Sequence, residues 1–559
     1  MRLMKTLTKT GLTLILLLAF TINLSAQEIF DAVRNGDLAK VKELVEKDPQ
    51  LVKEKKYPTR STNGSPSTLL HVAGELDNVE IAKYLIEKGA DVNALDGLSL
   101  TPIMYSEINV AKLLIEKGAD INFISPNWST LTLLFFLGKK ETADYLIDKG
   151  IKLPDLETDE GKNTLSVALR IGSIKYLDKC VKLGLTPFYE SEAKNTLLHL
   201  AAVGNSIELI NKLITLGTPL NNTNIYGWTA LHNAAYNGNK DIVELFIKKG
   251  LNKNIRTTDG SSPYNLAVEA KKTDVVEYLI SIGADQSPQK FPDLKGEYLG
   301  HPKPGKKAVP FAPGIVAAKH NYHGSLTFSP NGTEAYWSVQ EENSLFTSKR
   351  VNGRWTIPDT ATSIANGDVP FISPDGNKFY FMGVMKVQGR EKEAIYVREK
   401  TPMGWSEPYL LPDIINSVRG IHWQVSVDGK GNLYFGAGQN NKNHIYRSEL
   451  ENGTYHDPVM LEYLKNVEAF SPYIAPDGSY LIISKRSSGL SILFKKKDGT
   501  WLKGSDLTSI VGTHTICPIV THDGKYLFFL KDVDSKNIPF WVDASFIEDL
   551  RKEALKDDR

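Results

Sequence analysis

The chain has 559 residues, 41% of them hydrophobic and 23% charged, which is more than one domain's worth of core. Its 66 Lys and Arg nearly cancel 65 Asp and Glu, which argues against a global field that would attract nucleic acid or an anionic membrane. Cys180 and Cys517 lie far apart, and no CxxC or Cys/His cluster accompanies them, so neither a disulfide framework nor a structural zinc is expected.

The first element is a leader. Arg2, Lys5 and Lys9 precede the apolar run "LTLILLLAF" (12–20), and small residues follow at Ser25 and Ala26. That order predicts a secretory signal peptide over 1–26, too short to persist as a membrane span and cut after Ala26. The mature chain is then exported, to the periplasm or beyond the cell, with no stable membrane insertion.

Residues 27–287 cycle with a period near 33. Compare "STLLHVAGELDNVEIAKYLIEKGADVNALDG" (67–97) with "TALHNAAYNGNKDIVELFIKKGLNKNIRTTDG" (229–260). Each unit opens with Thr and Leu before a short apolar helix. A second helix follows, with apolar residues at helical spacing as in Ile81, Tyr84 and Leu85, and it stops at a glycine such as Gly217. About eight units are expected, with degenerate ones at 130–162 and 163–194. "TLLH", "TALH", "KGADVN" and "KGADIN" make this array resemble ankyrin repeats, a stacked all-α solenoid in which neighbours share one continuous core. His71, His199 and His232 open separate units, so they are expected to bond nearby backbone rather than to share a metal. The resemblance implies protein recognition, with contacts expected at the hairpin tips: Asp96, Trp128, Tyr226, Trp228 and Asp259. Trp228 and Tyr226 have an equally good alternative as packing against the next repeat.

A stretch with six prolines over 286–314 reads as a linker, bounded here at 288–304, or as an extended docking arm. Beyond it, 305–546 repeats a different signal. "SPNG" (329–332), "SPDG" (373–376), "SVDG" (426–429), "APDG" (475–478) and "THDG" (521–524) each separate an apolar strand from an aromatic one such as "KFYFM". Asp-Gly and Asn-Gly suit tight hairpins because those turns require positive φ, so Asp375 is expected to be a turn residue and not a catalytic acid. Four strands per 44–53 residues predict an all-β propeller of five visible blades, with room for a degenerate sixth. A third strand such as "AIYVREK" is followed by a fourth expected to start at a glycine plus an aromatic, as in "GRW" or "GTW". The last blade lacks its fourth strand, and "VPFAPGIV" (309–316) is expected to supply it, ahead of a C-terminal helix over 547–559. These blades resemble the WD40-like repeats of the TolB-type propeller family, which implies a periplasmic setting with envelope proteins as partners.

Eight of the eleven histidines follow residue 300. With the blades in register, His323, Asp368, His422, Glu468 and His514 precede the innermost strands and are expected at one mouth of the central channel. There they would be simply solvated, or would contact a partner, a peptide or a glycan; metal ligation is the sharper and less favoured reading. No GxSxG, HExxH, P-loop or dinucleotide fingerprint is present, and no catalytic residue or cofactor is assigned. The expected function is a non-catalytic scaffold for protein or ligand binding. The alternative is a metal-assisted polysaccharide lyase or glycoside hydrolase working at the channel mouth. A third reading has the helical array inhibiting the propeller.

Overall fold

The computed structural model describes residues 26–556 except 57–65, 317–321, 323, 325, 340–343, 366, 388, 389, 440, 441, 487, 503 and 535. The apolar run at 12–20 and its cleavage region up to Ser25 therefore lie outside the described residues, as does His323. Among the described residues no helix is long and apolar enough to cross a membrane. The chain forms two compact units. One comprises residues up to Asn222 with Thr229–Lys253 and Leu266–Gly283; the other comprises Thr223–Trp228, Asn254–Asn265 and Ala284 onward.

The first unit is built from helix pairs. Among the described residues, eight pairs run from a helix over 26–34 with Leu38–Lys47 to Pro263–Glu269 with Thr273–Ser281. The third pair opens with the 3-10 turn Pro102–Tyr105 instead of an α-helix. Each second helix buries one apolar stripe, as Ile81, Tyr84 and Leu85 do in Val79–Glu87, and Gly217 closes its helix at φ +91°. The polar turns between helices are tied by side chains: Asn78 Oδ1 accepts from the Ile81 amide at 3.1 Å.

Among the described residues the second unit holds five antiparallel sheets, three of four strands and two of five, arranged as propeller blades. The innermost strands are Thr327–Phe328, Asp368–Ile372, Ile421–Val427, Ala469–Ile474 and Thr515–Val520. In blade five the outermost strand is Val309–Pro310, pairing Val309 with Trp541 and Pro310 with Phe540. The chain thus closes its own ring, and Pro310 is tolerated because it lies on a sheet edge. Adjacent blades share apolar cores, such as Tyr434 and Ile445 of blade three against Leu481, Ile483 and Leu493 of blade four. The C-terminal helix spans Phe546–Lys556.

Two expectations need adjustment, and one pair of alternatives resolves. The glycine-plus-aromatic segments do not start the fourth strands. Arg354–Trp355 and Gly404–Trp405 fold back as tiny hairpins on the end of the third strand, and the fourth strands follow at Asp359–Ala365 and Tyr409–Leu410. The turn of blade three is displaced by two residues. Gly431, at φ +85°, donates to the Asp428 carbonyl as Gly376 donates to that of Ser373, while Gly429 has no left-handed φ. "DGKGN" contains two candidate glycines, and only the hydrogen-bond register picks the second. Finally, the proline-rich segment is a docking arm on the propeller. The Trp355 amide donates to Leu294, and the Trp355 indole donates to Gly296 at 2.9 Å. Tyr298 adds its ring to Phe328, Tyr526 and Trp541 at centroid distances of 5.1, 5.3 and 5.6 Å.

Candidate interaction surfaces

The recurrent turn has a consistent chemistry. Ser373 Oγ donates to Asp375 Oδ1 at 2.5 Å, the Asn377 amide donates to the same oxygen at 3.0 Å, and the Lys378 amide donates to Ser373 Oγ at 2.9 Å. Burial alone would raise the Asp375 carboxyl, but the hydrogen bonds from Ser373 and Asn377 outweigh it and the net shift is downward. It is an ionised acceptor held by its own turn. Thr521 and Asp523 repeat the arrangement at 2.6 Å, and in blade one Asn331 replaces the aspartate, accepting from Ser329 at 2.7 Å. An amide serves where a carboxylate does, so proton transfer is not what this position requires.

The tetrapeptide histidines are equally occupied. His71 Nδ1 accepts from the Thr68 amide, and Nε2 lies 3.0 Å from the Leu100 carbonyl of the following unit, which makes Nε2 the protonated nitrogen. Burial pushes the His71 pKa down despite the pull of that carbonyl. His199 and His232 close the same box with Thr196 and Thr229. The expected hairpin-tip residues serve their own loops. Asp96 is buried and accepts from the Leu98 and Leu100 amides and the Tyr105 hydroxyl at 2.8, 2.9 and 3.0 Å. Tyr226 and Trp228 are buried, with their amides donating to Asn224 Oδ1. Asp259 is buried too, accepting from the Ser261 amide, and its carbonyl receives Gln289 Nε2. Trp128 is half-buried with its ring 5.1 Å from Phe136.

Of the five residues expected at the channel mouth, three have described side chains. Asp368 is half-buried and accepts from the Val369 amide at 2.8 Å; Glu468 is half-buried and 3.7 Å from Arg486 Nε; His514 is exposed. His422 lies in the strand Ile421–Val427, its side chain outside the described set with that of His323. The three do not share a level. Inner strands carry a bulge at the left-handed residues Val369, Ser471 and Cys517, and Asp368 directly precedes its bulge while Glu468 and His514 stand further upstream. Among the described residues, no three His, Cys, Asp or Glu side chains cluster as a metal site.

The bulges carry a feature that strand patterning did not signal. At two of them a serine of the preceding blade accepts the amide of the left-handed residue: Ser484 from Cys517 at 3.1 Å, and Ser338 from Val369 at 3.4 Å, an amide it shares with Asp368. Gln424, fully buried, sends Nε2 to the Pro518 carbonyl at 2.7 Å and so ties blade three to blade five. At the turn end Phe371, Val427, Tyr473 and Ile519 converge around a space of about 10 Å³. That is room for at most about one water. His522 Nε2 reaches from blade five to the Ser373 carbonyl of blade two at 3.2 Å, and burial lowers its pKa. The turn end of the axis is therefore filled with side chains.

Comparison with known proteins adds one family. Residues 29–125 and 198–290 each match a family whose description is Ankyrin repeats (3 copies). The helical array is made of ankyrin repeats. A stretch of 53 residues is 43% identical to alpha-latrocrustotoxin-Lt1a of Latrodectus tredecimguttatus, covering 10% of this chain and 4% of the toxin. A stretch of 180 residues is 26% identical to the E3 ubiquitin-protein ligase XBAT33 of Arabidopsis thaliana, covering 32% of this chain and 28% of that one. The chain thus spans well under a third of the length of either relative. The matched ankyrin segments stop on both sides of 126–197, where the sequence drifts furthest from the repeat pattern while the helix pairs continue. The chain thus combines ankyrin repeats with a five-bladed propeller.

Proposed function

We propose that the protein is exported and works as a non-catalytic scaffold that captures a protein partner of the cell envelope. One observation carries this reading: the polar residues that recur from unit to unit are consumed by backbone. The His of each ankyrin tetrapeptide closes a helix cap, and the Asp or Asn of each propeller turn accepts its own loop's donors. Residues repeated to hold shape leave the variable surface for recognition.

The test uses the exported chain isolated from the envelope fraction. Its N-terminus is expected to begin at Gln27, and as bait it is expected to retain one protein at a fixed ratio through a salt wash. Turnover of an acidic glycan by the same preparation, abolished by His422→Ala with His514→Ala, would replace this reading with the lyase or glycosidase one.

A further inference from the structure

Between the hairpin leading into Thr130–Phe136 and the segment after Ile174–Lys182, the ankyrin array opens into a groove of about 920 Å³. Pockets that bury a sizeable ligand run from about 300 to 1,000 Å³. The groove exists because of local sequence. Where other units extend a hairpin, "IKLPDLET" (151–158) folds back onto the start of Asp159–Arg170. Thr158 Oγ1 donates to the Asp155 carbonyl at 2.6 Å and caps Gly161 at 3.1 Å. A Cβ on Gly161 would stand 1.9 Å from the Asp155 oxygen, so glycine permits this close approach. With its hairpin withdrawn, the unit leaves Ile124 and Leu183, which both line the groove, 66% and 68% exposed.

The charges on this groove are one-sided. Asp155, Glu157 and Glu160 line it against a single cation, Lys152. Glu160 is fixed, accepting from the Ser129 amide at 3.0 Å, while Asp155 and Glu157 are exposed. We propose that this groove seats an apolar segment flanked by basic residues, presented by a protein partner. The apolar walls supply burial, and the carboxylates select the flanks and speed encounter. The assignment rests on the scaffold reading and narrows it to one face and one partner chemistry.

The probes are two labelled peptides, Arg-Arg-Gly-Leu-Ser-Phe-Gly-Leu-Arg-Arg and its counterpart with Asp in place of every Arg, titrated against the full mature chain by fluorescence anisotropy. The basic peptide should bind about tenfold more tightly at low salt, with the gap shrinking as salt screens the carboxylates. Ile124→Asp with Leu183→Asp should weaken it about tenfold or more, a loss of about 1.4 kcal/mol. Ile280→Asp, on the last second helix, should not. Glu157→Lys with Asp155→Lys should erase the preference between the peptides. All four wall positions are exposed or half-open, so these variants keep the helix cores intact. Equal affinity for both peptides, indifference to the wall variants, or a groove closed by a second copy in sedimentation would overturn the assignment. If neither peptide binds while the chain still retains its protein partner, the groove falls alone; if no partner is retained, the scaffold reading falls with it.

Discussion

Trp541→Ala should lower the unfolding free energy of the second unit by about 3–5 kcal/mol, the range for removing a large buried aromatic. The residue is fully buried on the third strand of blade five and pairs with Val309, the strand that closes the ring. Its indole sits at centroid distances of 5.0 Å from Phe311, 5.0 Å from Tyr526 and 5.4 Å from Phe528. His301 and Tyr298 of the docking arm complete the cluster at 5.9 and 5.6 Å. One truncation therefore empties the space where blade five, the closing strand and the arm meet. For a unit of this size each kcal/mol shifts Tm by about 2–4 °C, so calorimetry should show a drop of roughly 10 °C in the propeller transition. An unchanged transition would mean that the closing strand is not part of the cooperative unit.

Gly204→Ala should be the corresponding lesion in the ankyrin array. A Cβ there would stand 1.8 Å from the Arg170 carbonyl oxygen and 2.8 Å from its carbonyl carbon. Both are backbone atoms, so no rotamer relieves the clash and two neighbouring units must separate. The same turn is held by Asn239 Nδ2, which reaches the Ala202 and Val203 carbonyls at 2.9 and 3.1 Å. Overpacking of this kind costs about 2–3 kcal/mol. Because repeat stability is coupled through neighbours, the loss should spread to adjoining units. Amide exchange should accelerate in Leu197–Ala202 and Asp159–Arg170 and stay unchanged in the propeller strands.

The sequence spoke most clearly where spacing alone dictates geometry. The Thr-to-His offset in "TLLH" places a ring three residues into a helix, so the cap was readable from the residues. Asp-Gly turns between apolar and aromatic strands likewise led to five blades, and the missing fourth strand pointed to 309–316, of which Val309–Pro310 pairs. Legibility failed where a choice depends on three-dimensional partners. In "DGKGN" both glycines fit a turn by composition, and the Asn432 carbonyl, which receives the Asp428 amide, decides between them. The inner-strand bulges were hidden because Val369, Ser471 and Cys517 have no shared chemistry; what they share is a left-handed φ. Gln424 left no signal, since its role lies in carbonyls contributed by other blades. The ankyrin groove was missed for a related reason: a degenerate unit reads as a weak repeat, whereas its consequence is an absent hairpin and an open wall.

The central claim is that recurring polar side chains serve the backbone, and Asp375 tests it most directly. Asp375→Asn reproduces what blade one already uses at Asn331, whereas Asp375→Ala removes the acceptor for Ser373 and Asn377. Thermal unfolding and partner capture should be measured on both. The asparagine form should match the parent in each, and the alanine form should lose about 1–2 kcal/mol of stability. An asparagine form that melts normally but no longer functions would contradict the account, because only a carboxylate with a chemical task would be missed.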